Sequence, residues 1–312
     1  MSTSTSFTGS WLVSEYVYTP AGEFVGVVRQ RRALQPLGDV IRVIQVCEPL
    51  ELAPEVRRTV LNRQTSNEGQ SRLTGQSTAE WCDANSVANI MNQRVGEFVF
   101  DLKIIGKARH YLGPDVLGGG FSWRDGVLTA RGLWPNFGYN FTSFSILLHP
   151  RKQFTGGKFF TANREICTIV GLATPEDEGY PAFAGTLSAG GFSGTLYEIA
   201  PDGTELERRE LTVDGGRRSM VGGQSFSYGP LTETEAVAAP GQTVSTLEIA
   251  DGDFCAGLRK WTRDEKLEKV EVWTLTTDDG RRTAVNTPTA LSGTSPKFDE
   301  PKSNLGEAGR GA

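Results

Sequence analysis

The two histidines of the chain, His110 and His149, both fall in the stretch 98–164. They lie there among Asp101, Arg109, Tyr111, Trp123, Arg124, Asp125, Arg131, Trp134, Asn136, Tyr139 and Asn140. Histidine has an ordinary pKa close to neutrality, so either one suits general acid or base work. Tyr139 is suited to donating a proton or holding a developing oxyanion, and Arg131 to binding a carboxylate or phenolate. Aromatic faces and amides of the kind found at Trp123, Trp134, Asn136 and Asn140 line small-molecule pockets. The stretch therefore predicts His110, His149, Tyr139 and Arg131 as catalytic groups, with Trp123, Trp134, Asn136 and Asn140 against the substrate. Each also has a plainer reading. A histidine in a β protein is more often packed or on the surface, His149 precedes Pro150 at what reads as a strand end, and an outward-facing Arg131 needs no partner.

Other chemistries lack their residues. Thr155-Gly156-Gly157-Lys158 is too short for a phosphate-cradling loop, and Phe159 stands where that motif needs Ser or Thr. Gly118-Gly119-Gly120 is not followed by a helical pattern, so it is no dinucleotide fingerprint. No G-x-S-x-G elbow occurs. The two histidines and four cysteines (Cys47, Cys82, Cys167, Cys255) lack the short spacing of a zinc site, and Asp251-Gly252-Asp253 is too sparse for a calcium loop. The expectation is chemistry with no cofactor and no metal.

These residues need elements to hold them, and the elements read as strands. Pro20-Ala21-Gly22 separates the runs 15–19 and 23–29, and Asp125-Gly126 separates 120–124 and 127–133. Pro201-Asp202-Gly203 separates 195–200 and 205–211, and Asp278-Asp279-Gly280 stands between 269–277 and 281–285. Proline pre-sets φ, and Asp and Gly tolerate the positive φ of tight turns, so these are hairpin signals. Helices that would link parallel strands are missing, so the strands are expected to be antiparallel. Phe98, Phe100, Leu102 and Ile104 share one face of the run 97–105, with Asp101 and Lys103 opposite. In 139–148 both faces are partly apolar, which predicts a strand covered on both sides.

The stretch 53–95 breaks the pattern. Ser77-Thr78-Ala79-Glu80 fits a capping box, and Trp81, Ala84, Ala88, Met91 and Val95 then recur at spacings of three and four. This predicts an amphipathic helix over 77–94, either plugging the end of a barrel or lying on the outside of a sheet. An acidic, proline-bracketed linker is expected at 174–181. The domain reading is 1–176 as a β-barrel-like unit with the helical insertion, 180–285 as a second β-barrel-like unit, and 286–312 as a disordered tail. Phe7-Thr8-Gly9-Ser10-Trp11 and Phe192-Ser193-Gly194-Thr195-Leu196 open the two halves similarly.

The Gly9-Ser10-Trp11 start, followed by a meander, resembles the Gly-x-Trp opening of lipocalin-like (calycin) barrels. The resemblance implies that the tryptophan closes the bottom of a barrel whose interior holds an apolar ligand. Two such units in 312 residues look like the tandem proteins that include carotenoid hydratases and natural-product cyclases. The fold expected is mainly β: two consecutive antiparallel lipocalin-like barrels or sandwiches, with a helical insertion in the first.

With 38% hydrophobic and 22% charged residues the chain has material for a core, and a net charge of −5 with scattered Lys and Arg argues against a nucleic-acid partner. No apolar run reaches the length of a membrane span and no export signal is visible, so a cytoplasmic protein with reduced cysteines is expected. The partner expected is an apolar or aromatic small molecule; the sequence carries nothing on oligomeric state. The leading reading is a cofactor-independent enzyme of lyase, isomerase, hydratase or cyclase type. The alternative is a noncatalytic carrier of a hydrophobic ligand, and the third is a β-rich assembly factor with filled interiors.

Overall fold

The computed structural model describes residues 7–58, 83–214, 223–278 and 280. Ten strands close a barrel: β1 (Gly9–Tyr18), β2 (Phe24–Leu37), β3 (Val40–Cys47), β5 (Gly96–Ile105), β6 (Ala108–Leu112), β7 (Leu117–Arg124), β8 (Val127–Trp134), β9 (Tyr139–His149), β10 (Lys152–Thr161) and β11 (Arg164–Pro175). Each pairs antiparallel with its neighbour, and β1 pairs with both β2 and β11, which leaves the barrel without a free edge. The two-residue β4 (Glu51–Leu52) is added beside the start of β2.

The second sheet holds β12 (Gly191–Ile199), β13 (Glu205–Asp214), β14 (Gln224–Tyr228), β15 (Leu231–Ala239), β16 (Gln242–Asp251), β17 (Phe254–Arg263) and β18 (Lys266–Thr276), in the order β13-β12-β18-β17-β16-β15-β14. The mainly antiparallel β architecture is as the sequence predicts, but the two halves differ in form. The first closes on itself. The second, among the described residues, is an open sheet of seven strands that lies on the barrel wall. The repeated pentapeptides also differ in placement, since Gly9 begins β1 whereas Gly194 lies inside β12.

Strand alternation explains how one wall serves two cores. On β1, Trp11, Val13, Glu15 and Val17 point into the barrel, while Tyr16 and Tyr18 point toward the second sheet. The seam joins Tyr18, Phe144, Ile146, Phe154, Val170 and Leu172 of the barrel to Ile199, Leu231, Ile249, Phe254, Val270 and Val272 of the sheet. This is why β9 is apolar on both faces.

The expected hairpins at Pro20-Ala21-Gly22, Asp125-Gly126 and Pro201-Asp202-Gly203 join β1 to β2, β7 to β8 and β12 to β13. Residues 281–285 of the fourth lie outside the described residues. Two tight turns take positive φ without glycine: Ala162-Asn163 joins β10 to β11 and Asp264-Glu265 joins β17 to β18.

The inserted helix, α1 (Ala84–Asn92), is shorter than predicted. Asp83 is its N-cap, accepting from the Ser86 N–H at 2.8 Å; the expected capping box and Trp81 lie outside the described residues. Ala84, Val87, Ala88 and Met91 are buried against Val17, Val28, Cys47, Phe98 and Cys167, so the helix plugs one end of the barrel. Val95 does not share that face. The helix ends before it, and it is 43% exposed. No helix among the described residues is long and apolar enough to cross a membrane.

The chain leaves the barrel at Pro175, makes a 3-10 turn at Glu176–Glu178 and enters the second sheet at Gly191. Asp177 and Glu178 both pair with Arg151, which pins this crossing to the barrel.

Candidate functional site

The barrel is plugged at one end and hollow inside. At one end stands α1. Toward the other, Trp11 packs with Val13, Ala173, Leu34 and Leu147, and its Nε1–H donates to the Phe7 carbonyl at 3.1 Å. The space between is a cavity of about 160 Å³. Val43, Phe100, Leu102, Leu128, Trp134, Phe141, Phe159 and Ile169 give it apolar walls, and Glu15, Arg32, Gln45, Arg94, Arg109, Tyr111, Ser143, Gln153 and Thr155 bring polar groups inside. Gly132 on β8 makes room for one wall. A Cβ there would come 2.7 Å from the tip of the Phe141 ring.

The charged groups inside are placed by strand parity and by the plug. Glu15 lies between Val13 and Val17 on the inner face of β1, and Arg32 shares the inner face of β2 with Gln30 and Leu34. Arg94 follows α1, its backbone N–H bonding the Met91 carbonyl, so the plug delivers a guanidinium into the cavity. That group is 3% exposed and stacks 4.7 Å from the Phe159 ring centre and 5.4 Å from that of Trp134. Glu15 stands 3.6 Å from Arg94 and 3.7 Å from Arg32, too far for a direct hydrogen bond to either. Arg32 Nη2 donates to Gln30 Oε1 at 3.1 Å. Four polar atoms here are buried with no partner: Glu15 Oε2, Gln30 Nε2, Arg32 Nε and Arg94 Nε.

Arg109 is also buried. Its Nε donates to the Ser122 hydroxyl at 2.7 Å, and burial holds its pKa below the usual arginine value. Burial pushes the Tyr111 hydroxyl up and the Cys167 thiol up to about 12, so neither ionises near neutrality. Among the described residues no three of His, Cys, Asp and Glu are grouped so as to hold a metal ion.

The residues predicted from sequence as a site are scattered over the barrel. Trp134 alone lines the cavity. Tyr139 stands near the plug, donating to Gln93 Oε1 at 3.2 Å, and burial raises its hydroxyl pKa. Asn136 follows Trp134 in an exposed 3-10 turn and donates to Asp115 at 3.0 Å.

His110, Arg131 and Asn140 line a cleft of about 1550 Å³ between the barrel's outer wall and the second sheet. His110 and Arg131 sit in one row across the strands, running Lys103, His110, Gly119, Arg131, Thr142 and Lys158.

Trp123 is packed in the seam, with Nε1–H on the Thr129 hydroxyl at 3.0 Å. His149 ends β9, half-buried 5.7 Å from the Phe254 ring. Its Nδ1 accepts from the Arg151 N–H at 3.2 Å. The two histidines therefore do not meet. What sequence reasoning missed is the inner set Glu15, Arg32 and Arg94; Arg109, named in the polar cluster but given no role, joins them inside. A signal existed for two of them, since Glu15 and Arg32 stand in register with apolar inner-face neighbours, where a charge needs a partner or ligand.

No protein-family model matches the chain, and no curated protein does. Solved structures do resemble it. One is a protein of unknown function from the DUF3598 family of Nostoc punctiforme, at 12% identity and a TM-score of 0.46 over 88% of this chain and 99% of that one. Another is the S-type phycobiliprotein lyase CPES of Guillardia theta, at 9% identity and a TM-score of 0.32 over 54% of this chain and 86% of that one.

Proposed function

We propose that the barrel interior binds a small, mostly apolar molecule and that the protein handles this ligand as a carrier, in the manner of lipocalin-like barrels. The observation that carries the reading is a closed ten-strand barrel, plugged by α1 at one end, with a hollow rather than filled centre. A filled interior would suit an assembly factor. Apolar walls with a few convergent polar groups are what a small-molecule site requires.

Native mass spectrometry of the protein purified from its source tests this directly. A co-purifying small molecule, released on denaturation and recovered unchanged after incubation, is the expected result. A ligand-free protein whose tryptophan fluorescence responds to no member of a small aromatic library would end the reading.

A cofactor-independent lyase or isomerase is the second reading, favoured by a different place. His110, Arg131 and Asn140 line one cleft on the barrel's outer wall, where an imidazole could move a proton and a guanidinium hold the resulting anion. In this reading the co-purifying molecule is converted on incubation, and His110→Ala and Arg131→Ala each reduce the conversion about 100-fold or more. Unchanged turnover in both variants would remove the cleft from consideration.

A further inference from the structure

We infer that the ligand of the barrel interior is a carboxylate: one anionic group on an apolar, ring-sized body, with its oxygens between Arg32 and Arg94. The inference rests on the reading of the interior as a ligand site and adds the chemical class of what it takes.

Charge is the first argument. Two guanidinium groups face one carboxylate, Glu15, and neither is within hydrogen-bonding distance of it. Charge-assisted bonds close to about 2.7–2.9 Å when nothing holds the partners apart. With Arg109, the residues lining the cavity carry three guanidinium groups against one carboxylate, and an uncompensated buried charge is costly. Water can satisfy a donor but cannot neutralise the charge.

The second argument is the unpaired atoms. Three buried donor nitrogens, Arg32 Nε, Arg94 Nε and Gln30 Nε2, have no acceptor, against one acceptor oxygen, Glu15 Oε2, with no donor. A cationic ligand would bring these donors no acceptor, and a neutral carbonyl would bring one oxygen and no charge. A carboxylate brings two oxygens and about four lone-pair sites.

The third is size and shape. A cavity of about 160 Å³ matches the roughly 150 Å³ that admits benzene. Space beside Glu15 is kept open by Gly171, where a Cβ would come 2.8 Å from Thr155 Cγ2 and 3.4 Å from Glu15 Cγ. The Arg94 guanidinium carbon lies over the Trp134 and Phe159 rings, so an anion beside it sits against aromatic walls.

Benzoate, benzamide and benzylamine are matched probes of this idea, titrated calorimetrically into the full chain at pH 7.5 and fixed ionic strength. Benzoate is expected to bind at least tenfold more tightly than benzamide, with benzylamine undetected. Benzamide equal to benzoate would overturn the carboxylate while leaving the apolar site in place. No binding by any of the three would overturn both.

Arg94→Gln is expected to lose the preference for benzoate and keep benzamide. If that variant fails to fold, Arg32→Gln reads the same preference. Glu15→Gln removes the competing carboxylate and is expected to bind benzoate about tenfold more tightly than the parent. Retention of benzoate by Arg94→Gln with its loss in Arg131→Gln would move the anion to the outer cleft and refute the assignment.

Discussion

Glu15 and Glu271 are both carboxylates on strands, 6% and 3% exposed, and their surroundings are opposite. Glu271, on β18, is bonded by Arg259 at 2.9 Å and flanked by Lys269 at 3.4 Å and Arg209 at 3.9 Å. Those cations reach solvent, with 32%, 29% and 50% of their side chains exposed. The network is complete, and it sits on the face of the second sheet that turns away from the barrel. Glu15 has two cations at longer range, one of them fully buried, and an oxygen without a hydrogen-bond partner. Buried polar groups in folded proteins are nearly always satisfied, so the incomplete set is the one proposed to take a ligand, whereas the complete one is part of the fold. The second sheet spends its charges on structure; the barrel holds some in reserve.

The sharpest way to break this contrast is at the seam, where structure alone is at stake. Phe154 is 0% exposed and faces the second sheet from β10. Phe154→Ala is expected to cost about 3–5 kcal/mol of stability in urea denaturation, with no recovery on adding benzoate. Recovery would mean that the seam and the cavity are one system. The two glutamates come next. Glu271→Gln is expected to lose about 1.5–3 kcal/mol, the value of hydrogen bonds to a charged group, and benzoate should leave that loss unchanged. Glu15→Gln leaves two inner guanidiniums without a carboxylate, and benzoate should restore most of what it loses. Equal responses of both variants to benzoate would erase the distinction.

The fold was far more legible in the sequence than the site, and the reason is physical. Turns announce themselves locally: Pro201-Asp202-Gly203 and Asp125-Gly126 are chosen for φ angles that few other residues adopt. The turns at Ala162-Asn163 and Asp264-Glu265 take the same angles without glycine, and they were harder to see. The alternation of Phe98, Phe100 and Leu102 marks an inner face without further information. A barrel interior is different, because it gathers one or two residues from each strand. Glu15, Arg32 and Arg94 are widely separated in the chain, and only closure brings them together. Clustering in sequence favoured 98–164, but alternate residues on those strands point to opposite sides of the wall. Arg109 goes in and His110 goes out for that reason. Among the described residues the second sheet stays open, with β13 and β14 at its edges, where the sequence allowed a barrel or a sandwich.

Lys158 sharpens the comparison from the barrel's outer face. Its ammonium bridges Glu165 on the barrel at 3.0 Å and Glu233 on the second sheet at 2.7 Å. Burial works against that charge, but the bonds to Glu233 and Glu165 outweigh it and raise the lysine's pKa. Lys158→Met keeps the stem and removes the bridge. About 1–2 kcal/mol should be lost, since the two glutamates left behind are only partly buried. Benzoate affinity should not change, because the side chain points away from the cavity. A shift in that affinity would show that the seam tunes the interior.

The smallest effect concerns His149, and it separates a packed histidine from a working one. Burial lowers its pKa below 6.5, helped by Lys152 and Arg151 and opposed by Glu178. In the unfolded chain the imidazole takes up a proton near about 6.5, whereas the folded protein resists it to lower pH. The neutral ring's contribution to stability is therefore fully present above about pH 7 and is lost as pH falls through 6.5 toward the folded value. His149→Gln retains an acceptor for the Arg151 N–H and has no proton to gain. The stability difference between parent and variant, measured by urea denaturation from pH 7.5 to pH 5.5, should shift against the parent as pH falls. Benzoate affinity and any turnover should be the same in both proteins. A pH-independent difference would deny that the ring is held neutral by its burial against Phe254. A loss of turnover in His149→Gln at constant stability would instead put this histidine at work on a substrate, and the seam would no longer be structural alone.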